Sequence, residues 1–309
     1  MIYCVRMLRE ITESQALWAI IAVMIGVDVL WAWSIGIRLS PNLGMVIAFC
    51  VMACINLVYA TIRSNQTIAV FAATTAQLIA FSSASVLLSY LTATSRFPLI
   101  DSYLAATDAA IGFDWLSLFM WVHDHPAVDR LFDVAYVSSI FQIIILVLLL
   151  PALDQLERLR EFVWLVVITL LIIIPLAWVM PAEGAWAYYG VSKLTSAYYL
   201  PDFYALRAGE MRDIVMTKVT GIIQFPSFHA AIALILIYVC RGISYLFPIS
   251  FLLNLVMIVS IPTTGGHHFA DILAGLAVVP LAIVILRAWQ REPSDRLVVA
   301  VDSISPMRD

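Results

Sequence analysis

Apolar runs of about 20 residues, the length a helix needs to cross the hydrocarbon of a bilayer, recur along the whole chain. Eight are read, over 16–37, 43–62, 67–91, 131–151, 162–180, 222–240, 244–263 and 268–288. The polar breaks at 38–42, 63–66, 152–161 and 241–243 are short and predict antiparallel hairpins between neighbouring helices. Two breaks are long, 92–130 and 181–221, and both mix glycine, proline, aromatic and charged residues. They predict a structured cap or interfacial helices. The expected fold class is therefore all-α, a polytopic membrane protein with about eight transmembrane helices forming a helical bundle. Three parts are expected: spans and an outer interfacial loop over 1–130, a core over 131–290, and a cytoplasmic tail over 291–309.

Composition agrees with this pattern. The chain is 63% hydrophobic and 12% charged, against roughly a quarter charged in ordinary soluble domains. A formal net charge of −4 argues against nucleic acid as a partner. The first fifteen residues are too polar and too short for a cleavable signal. The cysteines Cys4, Cys50, Cys54 and Cys240 form neither a disulfide framework nor a metal-binding CxxC pattern, and they read as small apolar filler. With the amino terminus inside, ten Arg and Lys residues fall on the cytoplasmic side and seven outside. Six of those seven sit in the two long loops, where the positive-inside bias loses force. Both termini are then cytoplasmic, and both long loops face the exterior or periplasm across a plasma (inner) membrane.

Two polar clusters interrupt the apolar runs on that outer side. The first is Phe225-Pro226-Ser227-Phe228-His229-Ala230-Ala231. Proline suits the first turn of a helix, and the backbone N–H groups that follow it, together with the helix dipole, favour an anion. Ser227 adds a donor, and His229 can give or take a proton. A helix cap with an incidental histidine explains the same letters. The second cluster is Gly265-Gly266-His267-His268-Phe269-Ala270-Asp271. Its four-residue spacing predicts His267 and Asp271 on one helix face. A carboxylate on one imidazole nitrogen orients the ring and leaves the other nitrogen free to attack. His268 projects elsewhere and reads as packing or interfacial. An acid such as Asp271 inside a membrane span is functional by default.

Together the two clusters resemble the second and third signature motifs of the type 2 phosphatidic acid phosphatase superfamily. Those motifs run Pro-Ser-Gly-His, and Ser-Arg, five residues, His, three residues, Asp. Ser260 stands seven before His267 as the third motif asks, whereas Ile261 replaces its arginine and Phe228 replaces the glycine of the second. Both departures are similar to the branch of aureobasidin-sensitive inositol phosphorylceramide synthase. The first motif, Lys, six residues, Arg-Pro, is incomplete, since Lys193 is followed by Leu200-Pro201. Arg207 is the preferred phosphate clamp in its place, with Lys193, Arg212 and Lys218 as competitors, and a solvated loop explains them equally well.

The resemblance implies a catalytic core over 131–290 and a metal-independent enzyme without cofactors. In the implied mechanism Asp271 orients His267, which attacks phosphorus and forms a phosphohistidine. His229 serves as general acid and base, while Ser227, with Arg207 or Lys193, holds the phosphate. The substrate is a lipid phosphate. Water as acceptor makes a lipid phosphatase, and an alcohol acceptor makes a phosphotransferase, for example of a phosphoinositol headgroup. Oligomeric state is left open. Two rival readings remain: a metal site at His123-Asp124-His125, and a transporter whose path uses Asp28 and Gln77, residues that serve helix–helix hydrogen bonding equally well.

Overall fold

The fold comes from a computed structural model that describes residues 2–304, with side chains over 12–290. Cys4 and the side chains of the expected tail, 291–309, lie outside the described residues. In chain order the elements are α1 (Ile2–Ser34), β1 (Arg38–Ser40), α2 (Leu43–Thr61), α3 (Gln66–Thr92), α4 (Asp101–Ala110) and α5 (Trp115–His123). Then follow α6 (Pro126–Ala152), α7 (Leu156–Val179), α8 (Ala185–Tyr188), α9 (Leu200–Ala208), β2 (Asp213–Val215), α10 (Phe228–Cys240), α11 (Leu246–Thr264) and α12 (Phe269–Ile304). Several helices start where the sequence supplies an acceptor for an unpaired N–H group. Asn42 accepts from Met45 N, Asn65 from Ile68 N, Asp114 from Ser117 N and Ser227 from Ala230 N. Pro126 opens α6 at the position where a missing N–H costs nothing.

Helix α7 runs through the centre of the bundle. Its Phe162, Leu165, Val167 and Ile173 are fully buried against Ala231, Ala233 and Ile235 of α10 and Val279 and Ala282 of α12. The outer faces are equally apolar: Ile140, Phe141, Ile144, Ile145 and Leu148 of α6 are exposed, and α2 buries no residue. Helices that are apolar all round need an apolar solvent, and among the described residues seven have the length and composition to cross a membrane. The two long breaks fold over one end of the bundle as a cap with its own core, in which Tyr90, Trp115, Phe119, Trp186, Tyr199, Phe203 and Ile214 are buried together. The protein is thus an all-α polytopic membrane protein, apart from one pair of three-residue parallel strands joining Arg38 to Asp213. Strands so short carry no period-2 pattern, so the sequence gives no sign of them.

The expected span over 222–240 needs correcting. Its helix, α10, has 13 residues and begins only at Phe228. Pro226 disfavours a helical conformation at Phe225, and Ser227 adopts the extended geometry of a cap (φ −66°, ψ 113°). At 1.5 Å per residue α10 rises about 20 Å, short of a bilayer's hydrocarbon thickness. Its start meets the start of α12: Ser227 N donates to Asp271 O at 3.1 Å. Gly275, one turn further along α12, allows this close approach. A Cβ there would lie 2.2 Å from Ser227 O, a backbone atom that cannot swing aside.

Gly275→Ala is accordingly expected to destabilise the protein by about 1–3 kcal/mol, the usual cost of overpacking. The measurement is the melting temperature in detergent. The control is Gly26→Ala, where an added Cβ meets nothing within 4 Å and no loss is expected. Equal melting temperatures for the two variants would contradict the interlock.

Candidate active site

The two sequence clusters meet at the cap end of the bundle. His267 does not lie on a helix face as its spacing to Asp271 suggests, because α12 begins at Phe269 and His267 sits in the preceding turn. The turn folds back so that His267 Nδ1 lies 2.8 Å from Gln224 O and 3.5 Å from Asp271 Oδ2. A carbonyl can only accept, so the proton resides on Nδ1 and Nε2 is left as the acceptor. Nε2 faces Ser227 Oγ at 3.4 Å, at the first turn of α10. His267 is 2% exposed and Asp271 is fully buried. Asp271 Oδ2 also accepts from His268 N at 2.9 Å, while Oδ1 has no hydrogen-bond partner.

Glycine permits the turn. Gly266 has φ +69°, and a Cβ on it would enter the Trp186 ring. That indole donates from Nε1 to Thr263 O at 2.9 Å, and Trp115 Nε1 donates to His267 O, also at 2.9 Å. The backbone of the histidine turn is thus held from both sides. His229, on the first turn of α10, stacks on Tyr136 of α6 with ring centroids 4.0 Å apart, and its Nδ1 lies 2.9 Å from Tyr136 Oη. Tyr199 donates its hydroxyl to Glu183 O at 2.9 Å. Burial first, then Tyr198, Asp101 and Asp271 hold its phenol well above the ordinary range, so it stays a donor.

Four residues named from the sequence are therefore brought together: Ser227, His229, His267 and Asp271. The two cations are placed apart from them. Arg207, near the end of α9, donates to Ser95 O at 2.7 Å and to Phe97 O at 3.0 Å, with its guanidinium 5.7 Å from the Phe203 ring centre. Lys193 is exposed on a turn whose following residues, Leu194, Thr195 and Ser196, line a cleft of about 270 Å³. Trp186, Thr263, Thr264, Asp129 and Asp133 form much of its other wall, so the cleft opens beside the glycine turn.

The residues of the rival readings have other neighbours. His123 stacks on Phe119, and His125 stacks on Trp121 with its Nδ1 2.6 Å from Trp121 O. Gln77 donates to Ser14 Oγ at 2.9 Å, joining α3 to α1, and Asp28 is buried without a hydrogen-bond partner for either oxygen. Cys50 and Cys54 are exposed and Cys240 is buried, all three as free thiols.

Sequence reading missed Tyr136, Trp115, Trp186 and, above all, Asp101 and Asp108 of α4. Each carboxylate accepts two backbone N–H groups: Asp101 from Glu183 and Gly184, Asp108 from Phe269 and Ala270. Their seven-residue spacing puts both on one face of a helix, a signal present in the letters. It lay in the long break over 92–130, read only as a structured cap or interfacial helices.

Residues 102–285, more than half of the chain, match the family described as the PAP2 superfamily. The chain belongs to that superfamily, which makes it a phosphatase-type enzyme of the membrane acting on lipid phosphates. Neither a curated protein nor a solved structure matches it.

Arg207→Ala should cost about 1–3 kcal/mol of stability through its two charged hydrogen bonds. Its effect on the KM for a lipid phosphate should be small if the guanidinium stays on those carbonyls. A large rise in KM with unchanged melting temperature would instead make Arg207 a phosphate clamp.

Proposed function

We propose that the protein transfers a phosphoryl-bearing headgroup from a lipid phosphate through a phosphohistidine on His267, without a metal ion or cofactor. The observation that carries this reading is the state of His267: Nδ1–H engaged on Gln224 O, and Nε2 left with its lone pair in a single long contact, 3.4 Å from Ser227 Oγ at the start of α10. The Nε2 lone pair attacks phosphorus as the ester P–O bond breaks. His229 gives its proton to the departing oxygen. It then takes a proton from the incoming hydroxyl, which attacks phosphorus and breaks the P–N bond. Ser227 and the N–H groups opening α10 face the oxygens on which charge develops. Asp271 stabilises the imidazole as it becomes cationic. Lys193 supplies the cation from the cleft side; Arg207 could do so only by leaving Ser95 and Phe97.

Residues 131–290 form the catalytic core, onto which α4 and α5 dock from the preceding part of the chain. The active site faces the exterior or periplasm, with both termini in the cytoplasm.

The acceptor is water in the first reading. A second is supported by the 2% exposure of His267 and the recessed start of α10. A phosphohistidine shielded from bulk water survives until a lipid or sugar hydroxyl arrives. This is the phosphotransferase reading, in line with the resemblance to inositol phosphorylceramide synthase.

The test is phosphate release by purified protein in EDTA from a panel of lipid phosphates, with and without added alcohols. Release that survives chelator and falls at least about a thousandfold in His267→Ala, with labelled phosphohistidine found only when His267 is present, is the expected result. Activity that survives His267→Ala, or that EDTA abolishes, sinks the proposal. Product formed only with an added alcohol selects the transferase.

A further inference from the structure

One buried charged group has no part in that mechanism. His268 is fully buried and lies between two carboxylates of α4, with Nε2 3.6 Å from Asp101 Oδ1 and Nδ1 3.5 Å from Asp108 Oδ2. Asp101 is 3% exposed and Asp108 fully buried. The same two carboxylates hold backbone on either side of the nucleophile's turn. Asp101 accepts from Glu183 N and Gly184 N at 3.0 and 2.8 Å, and Asp108 accepts from Phe269 N and Ala270 N at 2.9 and 2.8 Å. These two stretches are joined directly, since Ala185 N donates to Gly266 O at 2.6 Å. The result is a closed ring of bonds around residues 265–268, with the imidazole of His268 at its centre.

Two buried carboxylates facing each other across a neutral ring would repel and swell the ring. A cation between them holds it shut. Burial disfavours the charged imidazole, but the flanking carboxylates of Asp101 and Asp108 and the charge of Asp271 outweigh it and raise its pKa to about 9. Ionisable groups facing the ring are Asp101 and Asp108 of α4, Asp271 of α12, and Tyr188 and Tyr189 at the end of α8. Burial first, then Asp108, raises the pKa of Tyr189, so it stays neutral over the range where His268 titrates.

We propose that Asp101, His268 and Asp108 form a charge-locked brace that positions the His267 nucleophile, so that catalytic geometry depends on His268 being a cation. This rests on the reading of His267 as nucleophile. His268, Asp101 and Asp108 touch neither substrate nor the reacting atoms in this arrangement; they are positioning residues. A brace of this kind acts on kcat more than on KM, because it sets the placement of Nε2 and not the affinity for the headgroup. Its pH dependence follows from the raised pKa. The cation is present below about 9 and is lost as pH rises through that value, so turnover falls there.

The experiment is a pH–rate profile from pH 6 to about 10.5, with quantified phosphohistidine labelling, for the full-length protein in detergent. Wild type, His268→Gln, Asp108→Asn and His267→Ala are compared at matched melting temperature and elution volume. His268→Gln is expected to lower kcat and labelling about 10- to 100-fold at neutral pH with KM nearly unchanged, and to abolish the fall near pH 9. Asp108→Asn, which removes one charge and keeps an acceptor for the α12 backbone, is expected to move that fall to lower pH. This variant carries the test if His268→Gln does not fold. Wild-type kcat in His268→Gln, or an unmoved alkaline fall in Asp108→Asn, overturns the brace. If His267→Ala is itself active, the nucleophile assignment fails instead, whatever the other variants do.

Discussion

Backbone groups that a bilayer-embedded helix leaves unpaired must find partners within the protein, since lipid offers none. The active-site end of this bundle is organised by that requirement. Helix α10 begins late, and the chain breaks between α11 and α12, so two stretches of main chain lose their helical bonds at the same place. The side chains that make up the loss are the ones that shape the site. His267 takes Gln224 O; Trp115 takes His267 O; Trp186 takes Thr263 O. Asp271 takes His268 N, and Asp108 takes the first two N–H groups of α12. Positioning the proposed nucleophile and satisfying a broken backbone are here the same set of bonds.

That coincidence explains why the acceptor nearest to His267 is a carbonyl. The carbonyl takes the Nδ1–H at 2.8 Å, and the carboxylate lies 3.5 Å from the same nitrogen. The carbonyl fixes the tautomer while the ring is neutral. In the proposed mechanism the carboxylate contributes most once phosphorylation makes the imidazole cationic, when Coulomb attraction across a low-dielectric interior grows. The two acceptors therefore act at different stages. An Asp271 that bonded the resting ring tightly would stabilise ground state and transition state alike and gain less in rate.

Much of this was legible in the letters, for definite reasons. Apolar runs bounded by Asn, Asp, Ser or Pro marked the helices, because caps and burial are local and periodic properties. FPSFH and GGHHFAD were conspicuous because polar residues in an apolar context are costly and so need a cause. What could not be read depended on partners distant in sequence. Hydropathy overstated α10, since Ile222 and Ile223 are as apolar as any span residue although they precede the helix. The spacing from His267 to Asp271 suggested a helix face, and a folded-back turn achieves the same proximity. Arg207 looked like a free loop cation because nothing local reveals that Ser95 O and Phe97 O wait for it 110 residues or more away. Asp101 and Asp108 stood out by no local signal of burial, and they are buried because α4 lies against the start of α12.

The recessed site bears on the choice of acceptor. A phosphohistidine hydrolyses wherever water reaches it with a base at hand, so a transferase must either exclude water or bind its acceptor first. His267 is nearly inaccessible, and a cleft opens beside Trp186, Thr263 and Thr264. Its walls carry hydroxyls, two carboxylates and an indole face, groups suited to orienting a polar alcohol rather than merely admitting solvent. The same walls would hold the polar part of an acceptor against the histidine turn while its lipid part stays among the helices. Burial and cleft chemistry are thus the features on which the transferase reading rests, and the hydrolase reading stands wherever water can enter that cleft.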